Sequence, residues 1–280
     1  MNRRNNLISK AFLAFFWLGC SAGCSNASDH SHDAHHAEGA SSSTTVMCEA
    51  AEPLPSLGLV TSLPLLWPLD ADIADFASGA VNAPWQAGAL SSCYAILPLD
   101  TLSAPDESAA ATDPLEGLDR LAIIQPRALT PSDNVALDEW VREGGEALIL
   151  VDPLLTGHYD LALGDPRRPM DTSLVAIPPV VARWGLEVIF DEPSTIEEGT
   201  STVDLGGTPL TIEVASQWSS VDPDAAQCEL SADDHIARCK VGEGRVTLLG
   251  DAALFEHREL AGENFEAMTA LFGYAFDRTP

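Results

Sequence analysis

The segment LAIIQPRALTPSDNVALDEWVREGGEALILVDP, residues 121–153, constrains the fold more than any other part of the chain. Two apolar runs flank a stretch with helical spacing. Thr130 can cap that helix, Pro131 suits its first position and Asp133 reaches back toward the cap. Leu137, Trp140 and Val141 recur on one face with acids on the other. Gly144 or Gly145 ends the helix by taking up positive φ. Residues 147–151 then read as a buried strand that stops at Asp152-Pro153. Strand, helix, strand at this spacing is a βαβ unit, which calls for parallel pairing and a right-handed crossover.

The flanking sequence extends the same architecture. Residues 56–67 open with a short apolar strand and a Ser-Leu-Pro break. Residues 93–102 and 118–126 give two further strands. Residues 172–184 read as helical in spite of Pro178 and Pro179, and 186–190 as another strand. TPLTIEVASQW is a β segment. CELSADDHIARCKVGEGRVTLLGDAALF reads as a hairpin whose second strand, 245–250, ends at Asp251. In residues 263–276 an apolar stripe of Phe265, Met268, Leu271, Phe272 and Phe276 describes a covering helix. No internal repeat is visible. The expected fold is α/β and flavodoxin-like, with a mostly parallel sheet, helices on both faces and a C-terminal β-hairpin addition.

The N-terminus does not share this character. In MNRRNNLISKAFLAFFWLGCSAGC, residues 1–24, Arg3, Arg4 and Lys10 precede an apolar run too short for a permanent membrane span. Small residues then lead to cysteine, and the pattern resembles a bacterial lipoprotein signal. That resemblance implies a lipid on Cys24, with Cys20 as the other candidate and a cleaved signal without lipid as the alternative. Residues 25–46 hold no large apolar side chain before Val46 and read as a flexible tether. Residues 47–280 are one domain's worth of chain. Lys and Arg number 14 against 42 Asp and Glu, a net charge of −28. Such a surface repels phosphate backbones, so nucleic acid is excluded as a partner.

An exported chain meets an oxidising compartment, and four cysteines remain after the signal: Cys48, Cys93, Cys228 and Cys239. Three pairings are open. The local one joins Cys228 to Cys239 across a hairpin and Cys48 to Cys93. A metal site is the weaker use, because no C-x-x-C spacing occurs. In the tether, His30, His32, His35 and His36 lie close to Asp29 and Asp33. Imidazoles there can bind Zn²⁺ or Cu²⁺ with little geometric selectivity, or serve only as a solvated linker.

GLVTSLPLLW, the βαβ segment, DPRRPMDTSLVAIPPVVARWGLEVIF and GRVTLLGDAALF follow one another in this order. Together they resemble the class I glutamine amidotransferase-like domain, in its non-catalytic branch. That branch includes extracytoplasmic auxiliary components of gliding-motility-type ABC transport systems and related intraflagellar transport proteins. The resemblance implies an envelope protein facing the periplasm that contacts another envelope or ABC-transporter protein, with no cofactor. Catalytic relatives carry a cysteine at the turn after the central strand. Here that turn is Val151-Asp152-Pro153-Leu154, which has no Cys or Ser, and Pro153 lacks an N–H for an oxyanion hole. Asp152, Asp251, His158 and His257 all follow strand ends. They could form a metal site or an acid–base pair of a hydrolase, or simply cap local backbone. Arg167 and Arg168 could bind a carboxylate or phosphate, or pair internally.

Overall fold

The structure is a computed structural model that describes residues 53–276, apart from 70, 72, 73, 75–77, 80, 105–111, 163 and 173–176. The signal and tether, with Cys20, Cys24, His30, His32, His35 and His36, lie outside the described residues, as does Cys48. Among the described residues no helix is long and apolar enough to cross a membrane.

The first half of the domain runs β1 (Ser56–Thr61), α1 (Trp85–Ser91), β2 (Ala95–Pro98), β3 (Arg120–Ile124), α2 (Pro131–Arg142), β4 (Glu146–Leu150) and α3 (Pro179–Arg183). There follow β5 (Leu186–Ile189), α4 (Ile196–Gly199), β6 (Thr200–Leu205), β7 (Thr208–Glu213), β8 (Gln217–Ser220), β9 (Gln227–Ser231), β10 (Ile236–Val241) and β11 (Gly244–Leu249). A 3₁₀ turn, Ala253–Phe255, and α5 (Glu266–Ala275) complete the described chain. The fold is mixed α/β on a mainly parallel seven-stranded sheet, ordered β2-β1-β3-β4-β11-β10-β9. The first five strands are parallel, and β10 and β9 extend the sheet antiparallel.

Alternation along each central strand divides the core into two layers. Leu57, Leu59, Ala122, Ile124, Leu148, Leu150 and Leu249 face α1, α5 and the β6–β7 ribbon. Leu121, Ile123, Ala147, Ile149, Val246 and Leu248 face α2, α3, Trp184 and Trp218. Both faces are therefore covered, which is why these strands are apolar along nearly their whole length. At the strand starts, Glu146 stands in register between Arg120 and Arg245 and pairs with both, at 4.0 and 2.5 Å.

The capping box of α2 forms as its sequence indicates, with Thr130 Oγ1 accepting from Asp133 N at 3.1 Å. Gly144 follows the helix at φ 120°. The hairpin turn between β10 and β11 rests on that helix end, where Glu243 N donates to Arg142 O at 3.0 Å. The approach is so close that a Cβ on Gly244 would lie 2.0 Å from Val141 O.

Several expectations need correction. The helix anticipated over 172–184 is only Pro179–Arg183 where it is described, because Pro178 cannot donate within a longer helix and Pro179 is suited to a first turn. The strand at 186–190 does not join the main sheet; β5 pairs antiparallel with β8 in a separate ribbon. The single C-terminal hairpin is a three-stranded meander, β9-β10-β11, whose last strand inserts beside β4. The acids of α2 do not all face water. Asp133 and Asp138 are buried. Asp138 accepts from Trp184 Nε1 at 2.8 Å, Arg183 Nε at 2.7 Å and Arg142 Nε at 3.0 Å, which ties α2 to α3.

Cys228 and Cys239 are directly opposed on β9 and β10 and joined by a disulfide. Cys93 is also disulfide-bonded.

Candidate functional site

Parallel α/β domains carry their chemistry outside the carboxyl ends of the strands. Here three polar residues close those ends from within. Gln125, at the end of β3, is fully buried and has φ 45°, a left-handed conformation uncommon for a residue with a side chain. Its side-chain amide pairs with the backbone of Asp152. Oε1 accepts from Asp152 N at 2.7 Å, and Nε2 donates to Asp152 O at 3.1 Å and Met170 O at 2.8 Å. Its own carbonyl accepts from Ser62 N and Oγ. One residue thus stitches together the ends of β1, β3 and β4.

Asp152 and Asp251 follow β4 and β11, and neither has any solvent exposure. Asp152 Oδ1 accepts from Leu154 N and Oδ2 from Ala252 N, both at 2.9 Å. Asp251 Oδ1 accepts from Ala253 N at 2.9 Å, and Oδ2 from Glu213 N at 2.7 Å. Each carboxyl thus spends both oxygens on backbone amides and knits the turn after one strand to a neighbouring segment. Burial pushes the Asp152 carboxyl well above the usual carboxylate range, and the charge of Asp251 adds to this. Burial likewise pushes Asp251 up to about 7; its two amide bonds oppose the shift, while Glu256 and Glu213 reinforce it.

Glu256 completes the cluster and had no signal in the sequence beyond its place after a strand end. Oε2 accepts from Thr156 N at 3.0 Å, and Oε1 accepts from Gly157 N at 3.1 Å and from the Tyr159 hydroxyl at 2.5 Å. Burial raises its carboxyl despite those three donors. Tyr159 is raised too, first by burial and then by the Glu256 charge. His257 Nε2 lies 2.8 Å from Thr156 Oγ1 and 3.6 Å from Glu213 Oε2.

The other candidates stand apart. His158 pairs with Asp160 on the exposed surface at 2.9 Å. Arg167 binds Asp165 and donates to Leu69 O. Arg168 Nη1 donates to Tyr159 O and Leu161 O, so it braces the loop after β4. Beside this loop is a cavity of about 120 Å³ lined by Leu155, Gly157, Tyr159, Arg168, Met170 and Asp171 among others. Among the described residues no group of three or more His, Cys, Asp or Glu side chains is placed to hold a metal ion.

No family model matches the chain, and no curated protein matches it. Solved structures with a similar backbone include an exo-β-1,4-mannosidase from Opitutaceae bacterium strain TAV5, at 14% identity and TM-score 0.45, covering 79% of this chain and 36% of that one. The mmIFT52 N-terminal domain superposes at TM-score 0.48 with 15% identity, covering 79% of this chain and 97% of that one. A putative ThuA-like protein from Bacteroides uniformis gives 0.37 and 10%, with coverages of 80% and 89%. The chain spans about a third of the mannosidase's length. At these identities and scores the likenesses carry no argument about chemistry.

Proposed function

We propose that the chain is an envelope lipoprotein, anchored through Cys24 and facing the periplasm. Its flavodoxin-like domain binds a partner protein beside an ABC-type transport system and does no chemistry at the end of β4. One observation supports the binding reading above the others. The two aspartates that a hydrolase or metal site would use have all four oxygens committed to backbone N–H groups and no access to solvent. A general acid or base must reach its substrate within hydrogen-bond distance. The order β2-β1-β3-β4-β11 of the parallel strands supports the flavodoxin-like assignment, since it repeats the order 2-1-3-4-5 of that fold.

Affinity capture of the full chain from cross-linked membranes tests this reading. The expected result is enrichment of a membrane or ATP-binding subunit of a transporter over an equally acidic control protein. Equal recovery with the control would sink the partner assignment.

The hydrolase reading retains one favourable feature, burial that pushes the Asp251 carboxyl up to about 7. Purified protein should show no amidase, esterase or phosphatase turnover with or without divalent metal. Turnover that vanishes in Asp152→Asn at unchanged melting temperature would replace the binding reading. Zinc or copper binding by His30, His32, His35 and His36 is the remaining reading and rests on imidazole chemistry alone.

A further inference from the structure

The 120 Å³ cavity beside the connection after β4 has two walls, each fixed to the sheet by its own bonds. One wall belongs to residues 155–159, where Thr156 N, Gly157 N and the Tyr159 hydroxyl all donate to Glu256. The other belongs to residues 168–171. Gln125 Nε2 holds Met170 O at 2.8 Å, and Thr172 N and Oγ1 both donate to Asp152 O. Gln125 makes that bond from a left-handed backbone, φ 45°. Strain of this kind persists only where the surroundings over-determine it, and it clusters at ligand sites.

Two opposite charges line the cavity without pairing. Arg168 Nη1 donates to Tyr159 O and Leu161 O, and its Nε and Nη2 meet no acceptor among the described residues. Asp171 Oδ1 accepts from Leu155 N at 2.8 Å, and its Oδ2 meets no donor among the described residues. Among those residues the two side chains form no ion pair with each other or with any third group. Each is oriented by backbone bonds of its own, so each has a charged edge left to offer. The remaining lining is largely apolar, from Leu155, Pro169 and Met170.

We propose that this cavity binds a small zwitterion, a free α-amino acid with a short side chain, its carboxylate on Arg168 and its ammonium on Asp171. The inference needs neither the lipid anchor nor a transport partner, and its failure would leave both untouched.

Charge selects this class over its neighbours. A plain carboxylate would meet Arg168 but also face Asp171, in a chain whose net charge of −28 repels anions. A plain amine would satisfy Asp171 and leave Arg168 facing it. A neutral molecule would desolvate both charges and pair neither. A zwitterion supplies a charge-assisted partner to each, with the planar guanidinium suited to a carboxylate. Size sets the second limit. An apolar cavity of about 150 Å³ takes one benzene molecule, so a cavity of about 120 Å³ takes a ligand the size of alanine or serine. Because both charged groups are already held in place, binding orders little of the protein.

Isothermal titration of the full chain near neutral pH, with L-alanine as the probe, tests the proposal. Saturable binding with a Kd below about 1 mM is expected, as an efficient ligand of this size allows. Propionate and ethylamine each lack one of the two charges and should bind at least about tenfold more weakly. L-Tryptophan, too large for the cavity, should not compete. These arms use the unaltered protein, so they do not depend on any variant folding. Asp171→Asn is the informative substitution, since it keeps an oxygen for Leu155 N and removes only the charge, whereas any change at Arg168 also frees the carbonyls it braces. In that variant alanine should weaken about tenfold or more while propionate is unchanged or tighter. No saturable binding of alanine overturns the proposal. So does propionate or ethylamine binding as tightly as alanine, and so does an equal loss of alanine and propionate in Asp171→Asn.

Discussion

Asp133 offers the sharpest test of how the parallel layer is held together. Its carboxylate accepts four hydrogen bonds at Oδ1, from Thr101 Oγ1 at 2.7 Å, Leu102 N at 2.9 Å, Ser103 N at 3.0 Å and Ser103 Oγ at 2.9 Å. Oδ2 accepts two more, from Thr130 N at 3.1 Å and Thr130 Oγ1 at 2.7 Å. The residue is only 4% exposed, and Leu102 is fully buried. One side chain thus pins the loop after β2 to the first turn of α2. Truncation to Ala leaves buried amides unpaired, at about 1–3 kcal/mol for such a donor. It also removes charge-assisted bonds worth about 1.5–3 kcal/mol and a helix cap worth about 1 kcal/mol. These contributions overlap, so about 4 kcal/mol is expected, near the upper end for a single substitution. Asp133→Asn keeps one acceptor and should cost about half as much.

The pH dependence adds a second arm to the same test. Burial alone would raise the Asp133 carboxyl, but the bonds from Thr101, Thr130, Leu102 and Ser103 outweigh it and hold the group well below the ordinary value of 3.8. A depressed folded pKa gives stability that is complete above the unfolded pKa and is lost as pH falls toward the folded one. Urea unfolding near neutral pH therefore captures the whole effect, and below about pH 4 the gap between parent and variant should narrow. A loss under about 1 kcal/mol for Asp133→Ala at neutral pH would refute the argument, because no buried amide would then depend on the carboxylate.

Asp251 should produce the opposite slope. Its folded value of about 7 lies above the ordinary 3.8, so its contribution is complete below about pH 4 and lost as pH rises through 7. Urea midpoints should fall from about pH 5 to pH 8, and a flat profile would contradict the burial argument. Replacing Cys228 and Cys239 together by Ser opens a link with a sequence separation of 11 and should cost about 3 kcal/mol in the chain-entropy model, seen as a lower melting temperature under non-reducing conditions. A fatty-acid probe should label the parent and not Cys24→Ser; labelling that survives there and disappears in Cys20→Ser would move the anchor.

The βαβ unit was legible because its signals are local. Thr130, Pro131, Asp133 and Gly144 mark both ends of α2 within 15 residues, and the structure places each in its expected role. The Cys228–Cys239 pairing was legible for the same reason, since one hairpin brings the two together. Asp133 and Asp138 were not, because an acid on a helix reads as solvent-facing until its donors are known. The donors of Asp138 include Trp184 and Arg183, more than 40 residues away. The turn after β4 was correctly located, but the polarity of its surroundings was hidden. Glu256 reaches Thr156 across 100 residues, and no pattern within LFEHRE marks that reach. Gln125 was equally silent. Its role depends on a strained backbone angle and on an amide pairing with Asp152 that only the folded sheet creates.

The place of β11 has a consequence for how the chain is made. β4 is parallel to β3 on one side, but its other neighbour is β11, with Arg245 opposite Glu146 at a separation of 99 residues. During synthesis at roughly 5–20 residues per second, the apolar strand ALIL waits about 5–20 s for that partner. Through this interval β4 is an unpaired edge rich in exposed amides, the kind of template on which chains aggregate. The nascent protein therefore needs shelter until its last quarter has emerged. A nonsense mutation in the turn between Val241 and Gly244 removes the middle of the sheet and leaves its rim, β9 and β10, without a link to β4.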